Sequence, residues 1–274
     1  MKSMNRRKRV LFAMAVSAVL LLSVCIGGVF CAEAAVETDF SRKNLPPCLR
    51  YLFGTDWLGR DMMARTLKGL SLSILLGFVA AAVSACIALL LGIAAATMGK
   101  AADGLVTFVI DLLMGIPHIL LLILISVALG KGFWGVTLGV ALTHWPSLAR
   151  LMRAETMQLK ESPYIQIARK MGKSRWYIAR KHMLPHPLPQ FMTGLVLMFP
   201  HAILHESSVT FLGFGLSTEQ PAIGIILSES MRYLVTGKWW LALFPGLALV
   251  LVVVLFYVAG ENLRRLTDPG SVHE

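Results

Sequence analysis

Six apolar stretches, near residues 10–30, 70–98, 106–129, 133–149, 188–214 and 239–259, each approach the length that a helix needs to cross a bilayer. A hydrocarbon core of ~30 Å takes about 20 residues at the helical rise, and it offers backbone N–H and C=O groups no water. Such stretches must close their hydrogen bonds internally, as helices. Composition agrees: the 274 residues are 56% hydrophobic and only 15% charged, with a mean hydropathy of +0.69. The expected fold class is an all-α membrane protein, one transmembrane domain over 1–274, and a soluble fold is excluded. The second and fifth stretches exceed one span, which implies tilt or an extension along the membrane surface.

A net charge of +11 would suit a nucleic-acid partner if basic and aromatic residues were interleaved. Here the basic residues gather instead beside apolar stretches, so no nucleic acid is expected and the partner is the lipid bilayer. Lys2, Arg6, Arg7, Lys8 and Arg9 precede the first stretch, and Arg150, Arg153, Lys160, Arg169, Lys170, Lys173, Arg175, Arg180 and Lys181 separate the fourth from the fifth. The positive-inside rule places both groups in the cytoplasm, and an even span count returns Arg264, Arg265 and the C-terminus to the same side. The alternate connections, 32–69 and 217–238, carry the acidic Asp56, Asp61, Glu219 and Glu229 and face outward. The N-terminus also imitates a signal peptide, with a basic start, small residues at Cys31-Ala32-Glu33-Ala34-Ala35 and a lipoprotein-like Leu22-Ser23-Val24-Cys25. Its apolar run, over 20 residues, and the orientation that every later span needs favour an uncleaved anchor. Cys25, Cys31, Cys48 and Cys86 form no Cys-x-x-Cys pair; Cys31 and Cys48 share the outer side and either bridge or remain free thiols.

The basic segment 150–187 carries no catalytic motif, which makes it a docking element for something soluble. Ser162 suits an N-cap, Pro163 the first helical position and Gly172 a C-terminal cap, so 163–171 should be one short helix. Ser174 should cap a second, 175–183, that Leu184-Pro185 ends. Tyr164, Ala168 and Met171 would share a face, with the small Ala168 allowing close approach of a partner. Gly172-Lys173-Ser174 ends like a phosphate-binding loop, but Ile167 stands where the first glycine should be and no strand precedes it. The chain therefore carries no visible ATPase.

With its Ala168-x-x-x-Gly172, Ile178 and Leu184-Pro185, this segment resembles the coupling motif of ABC-importer permeases, with Gln166-Ile167-Ala168 in place of the family's Glu-Ala-Ala triplet. Phe53-Gly54-Thr55-Asp56-Trp57-Leu58-Gly59-Arg60-Asp61 looks like a signature of the dipeptide, oligopeptide and nickel permease family, with Gly54, Thr55, Asp56, Gly59, Arg60 and Asp61 matching. Phe211-Leu212-Gly213-Phe214-Gly215 resembles that family's Phe-Leu-Gly-x-Gly element. The resemblance implies a six-transmembrane-helix permease of the type I importer kind with cytoplasmic coupling helices, in a bacterial inner membrane. It implies coupling to ATPases through Tyr164, Gln166, Ala168, Met171, Gly172, Ile178, Leu184 and Pro185. The partners would be a second homologous permease, two ATP-binding subunits that hold ATP and Mg, and an extracytoplasmic solute-binding protein. No cofactor would sit on this chain, which would work by alternating access and catalyse no bond chemistry.

Cargo is the remaining question. His118, His144, His201 and His205 lie in or near apolar stretches, where polar groups need partners or a wet cavity. His201 and His205 share a helix face at the spacing that lets two imidazoles reach one metal, with Glu206 following. Two readings compete: His201, His205, His144 and Glu206 line a path for nickel or a nickel chelate, as the resemblance to the nickel branch implies, or each histidine binds a neighbouring helix and the cargo is a di- or oligopeptide. His118 is assigned to structure. Asp111 either lines the pathway or pairs near the interface, and Lys131 is a turn residue. His205-Glu206-Ser207-Ser208-Val209 lacks the second histidine of a metalloprotease helix.

Overall fold

The computed structural model describes residues 6–31, 33 and 36–267. Ten helices follow one another among them: α1 Arg6–Phe30, α2 Met62–Thr97, α3 Lys100–Gly115, α4 His118–Ala128, α5 Gly132–Lys160, α6 Pro163–Lys170, α7 Arg175–Ile178, α8 Leu188–Phe211, α9 Ile223–Leu234 and α10 Trp240–Thr267. The only extended pairing among the described residues is an isolated bridge between Thr55 and Asp61. Arg7–Phe30, Met62–Thr97 and Trp240–Thr267 are each long and apolar enough to cross a membrane, and the α3–α4 pair adds a fourth if it counts as one span. Lys2 and the small residues Ala32, Ala34 and Ala35 lie outside the described residues, while Leu22-Ser23-Val24-Cys25 sits inside the unbroken α1. All four cysteines are free thiols, Cys31 and Cys48 included.

The predicted apolar stretches are helical over most of their length, but three expectations fail. The stretch 106–129 is not one span: α3 and α4 meet at 99°. Pro117 has no N–H to give and excludes the helical region for Ile116, which sits at φ −90 and ψ 136, so the chain turns there. The connection 217–238, read as loop, contains α9. Its Gly224 lies so close to the Ser207 carbonyl and Thr210 that a side chain would collide, which makes α9 an integral layer against α8. Third, α2 begins at Met62 and α5 runs on to Lys160, well beyond the apolar limits of 70 and 149.

The centre of the molecule is the seam between α2 and α5. In lipid no hydrophobic effect drives helices together, so close packing must, and small residues permit it. Along α2, Ala80, Ala81, Ala85 and Ala88 are buried, and a Cβ on Gly92 would meet the Ala149 carbonyl at 2.7 Å. Gly77 admits Ile203 of α8 in the same way, at 2.7 Å. The opposite face of α2 exposes Leu75, Phe78 and Leu90, as a lipid-facing stripe should. Ion pairs join α3 to α5: Arg153 Nη2 donates to Asp103 at 2.8 Å and Arg150 Nη2 to Asp111 at 2.7 Å. Asp111 is thereby a pairing residue, and α4 is left to pack on α5 beside the break.

Candidate functional site

A cleft of about 740 Å³ opens between the α3–α4 break, α5 and α8. The break forms one wall, with Leu113, Ile116 and Pro117, and Met198 with Pro146, inside α5, supplies another. His118, His144, His201 and His205 all reach it. His118 is the first residue of α4, His144 lies two residues before Pro146 in α5, and His205 five after Pro200 in α8. Their ligand nitrogens lie within 4.8 Å of one another, and their ring centroids are 4.6 Å (118–144), 4.5 Å (118–205) and 5.1 Å (144–205) apart. His144 Nδ1 donates to the Val140 carbonyl at 2.9 Å, which leaves Nε2 as the lone-pair nitrogen. That Nε2 and the Nε2 of His118 are buried without a hydrogen-bond partner.

This grouping differs from the expected one. His201 shares the cleft and helix face but is exposed and stands outside the cluster, because four residues displace it ~6 Å along the axis. Its place is taken by His118, assigned to structure from sequence alone. Glu206 does not line the cleft: about 100° around the helix from His205, it is fully buried and accepts from Thr210 at 3.0 Å and Ser207 at 3.2 Å. Within-helix spacing could pair 201 with 205; only the fold could bring 118, 144 and 205 together. The signal available was Pro117, directly before a histidine in an apolar stretch.

The signature 53–61 folds into a clasp. Gly54 and Gly59 take φ +73 and +77, and a Cβ on Gly59 would strike the Asp39 carbonyl oxygen. Thr55 is buried, its hydroxyl donating to the Arg42 carbonyl and accepting from Leu45 N–H. Asp61 caps α2 through Met63 N–H at 2.8 Å. Asp56, with no exposed surface, accepts from Leu58 N–H, Arg60 Nε and Arg65 Nη1 at 2.7–2.8 Å, and Arg65 reaches on to Glu229 of α9 at 2.9 Å. Trp57 stacks on Tyr233, centroids 4.6 Å apart, below both guanidinium groups. Just outside, the hydroxyl and N–H of Ser41 both donate to Asp39 and hold its carboxyl below the usual range. Arg65, the centre of this network, went unmarked in the sequence because it sits alone at the start of an apolar helix.

The segment 150–187 follows its reading closely. Lys173 N–H returns to the Ala168 carbonyl at 3.2 Å and Gly172 N–H to Arg169 at 3.0 Å, with Gly172 at φ +76: a left-handed C-terminal cap. Ser174 Oγ accepts from Tyr177 N–H at 3.2 Å and caps the second helix, which continues as a π turn over Ala179–Met183 before Leu184-Pro185. Two details are corrected. Ser162 makes no side-chain cap; its hydroxyl donates back to Leu159, so Pro163 alone sets the start. Ala168 does not face outward: it packs on Leu159, Ile165, Ile178 and Met183, and the outward apolar surface is Ile167, Met171 and Trp176, beside the exposed Tyr164 and Gln166.

Residues 88–271 match the family described as the inner-membrane component of binding-protein-dependent transport systems. The dipeptide transport system permease protein of Bacillus subtilis is 30% identical over 250 residues, covering 91% of this chain and 78% of the relative. A Brucella abortus relative whose name points to peptide transport is 38% identical over 232 residues, covering 85% and 78%. Among solved structures, the MetNI methionine ABC transporter in inward-facing form superposes with a TM-score of 0.60 over 76% of this chain and 98% of the other, at 21% identity, a likeness of fold.

Proposed function

The chain belongs to the inner-membrane components of binding-protein-dependent transport systems, and from that premise we propose that it forms one half of the transmembrane path of a di- or oligopeptide importer. It is a permease subunit of an ABC importer with the type I fold, not an enzyme. Peptide cargo is favoured by relatives named for peptide transport and by a cleft of about 740 Å³ whose apolar wall stands beside the histidines, room for far more than an ion. Nickel as the sole cargo loses its leading place; the histidines keep metal in view. The second permease would complete the cleft, two ATP-binding subunits would take the exposed Ile167, Met171 and Trp176 surface, and a solute-binding protein would deliver at the clasp. Both termini and α6–α7 lie in the cytoplasm of the inner membrane in this reading.

Its test is ATP-dependent uptake in proteoliposomes holding the whole importer with its binding protein. Labelled dipeptides should accumulate and compete with one another. Accumulation of nickel salts without any peptide uptake would overturn the peptide assignment.

A further inference from the structure

We propose that His118, His144 and His205 form a three-imidazole site for a divalent transition-metal ion of the cobalt, nickel and zinc type, which passes through the cleft as part of the cargo. The proposal rests on the cleft being the cargo path. Imidazole is a good ligand for these ions, and three nitrogens around a tetrahedral ion stand ~3.3 Å apart. Within 4.8 Å already, the three must close by a modest rotation of rings. His118 has the freedom for that, since it begins α4 immediately after the 99° break.

The nitrogens are also prepared as ligands. The Val140 carbonyl fixes the tautomer and ring of His144 from behind, as outer-shell acceptors do at metal sites, and leaves Nε2 for the ion. The lone Nε2 of His118 is buried with no other partner, a costly arrangement in an apolar interior that a metal would relieve. Three ligands from three helices, open on the side of a cleft this large, leave further coordination positions to the cargo. Those positions suit either a hydrated ion or one already chelated by the amine and carboxylate of a short peptide.

Cobalt(II) reports on both sources. The intact importer would be titrated with cobalt(II) chloride alone and with an equimolar mixture of cobalt(II) and glycylglycine, following visible absorption and the metal's X-ray absorption edge. About one cobalt per copy of this chain with imidazole ligation is expected. A signal with the salt alone identifies the free ion; one only with the mixture identifies the chelate; both support the site. His118→Gln, His144→Gln and His205→Gln should each weaken binding by about 100-fold or more, given that outer-shell changes alone cost ~10- to 100-fold. His186→Gln, on the exposed cytoplasmic segment, should not alter it. If a variant fails to assemble, the wild-type edge spectrum decides by itself. Absence of imidazole-bound cobalt in both arms overturns the proposal, as does a site that survives His118→Gln and His144→Gln yet is lost in His201→Gln. Peptide uptake without metal binding would remove the site and leave the importer reading intact; metal binding without peptide uptake would do the reverse.

Discussion

At the scale of the residue, Asp56 decides the fate of a buried charge. Arg65 is 2% exposed; its Nη1 pairs with Asp56 and its Nη2, at the clasp's edge, with Glu229, while its Nε is buried without a partner. Removing one partner of such a pair leaves an uncompensated charge, which costs about 3–5 kcal/mol. Asp56→Ala should therefore lower the thermal stability of the solubilised importer sharply, whereas Asp56→Ala combined with Arg65→Met should recover much of it; melting followed by size-exclusion chromatography reads both. The sequence made half of this visible. Asp56 and Arg60 stood in a recognisable signature, but Arg65 contacts Glu229 across 164 residues, a separation that local patterns do not span. The histidines divide in the same way: 201 and 205 are related by helix geometry and were legible, while 118 joins 144 and 205 only through the packing of α4, α5 and α8.

Among the elements, the α3–α4 break and the two short helices α6 and α7 behave oppositely under sequence reading. Caps have local chemistry, so Gly172, Ser174 and Leu184-Pro185 announced α6 and α7 correctly. A proline within an apolar run is ambiguous, because membrane helices tolerate it as a kink, and Pro117 was read through as part of one span. Pro117→Ala should straighten the joint, since nothing else in Gly115-Ile116 forbids a helix there. Spin labels at Leu113 and Leu124 should move apart in double electron–electron resonance, and uptake should fall while ATPase activity persists. Gly172→Val probes the other element. No atom lies within 4 Å of a Cβ there, so the cost is backbone strain at φ +76, ~1 kcal/mol or more, and a shift in the angle of α6 rather than collapse. Uptake per ATP hydrolysed should drop; equal coupling in mutant and wild type would contradict it.

For the whole molecule, charge asymmetry sets which end faces the cytoplasm. Cys48 and Ser174 are both exposed, at opposite ends of the bundle, and serve as reporters. With the other native cysteines replaced, an impermeant thiol reagent should reach Cys48 only from the periplasmic side, and Ser174→Cys in place of Cys48 only from the cytoplasmic side. Labelling of both from one side would refute the orientation. The clasp bears on how such a molecule is made. Chains emerge N-terminus first, so Asp56 and Arg65 are made together early, but Glu229, 164 residues after Arg65, is synthesised far later, with α9. Until then Arg65 lacks its second carboxylate partner. A chain that stalls before α9 therefore holds the Arg65 guanidinium with Asp56 but without Glu229, its acidic partner from the far end of the sequence.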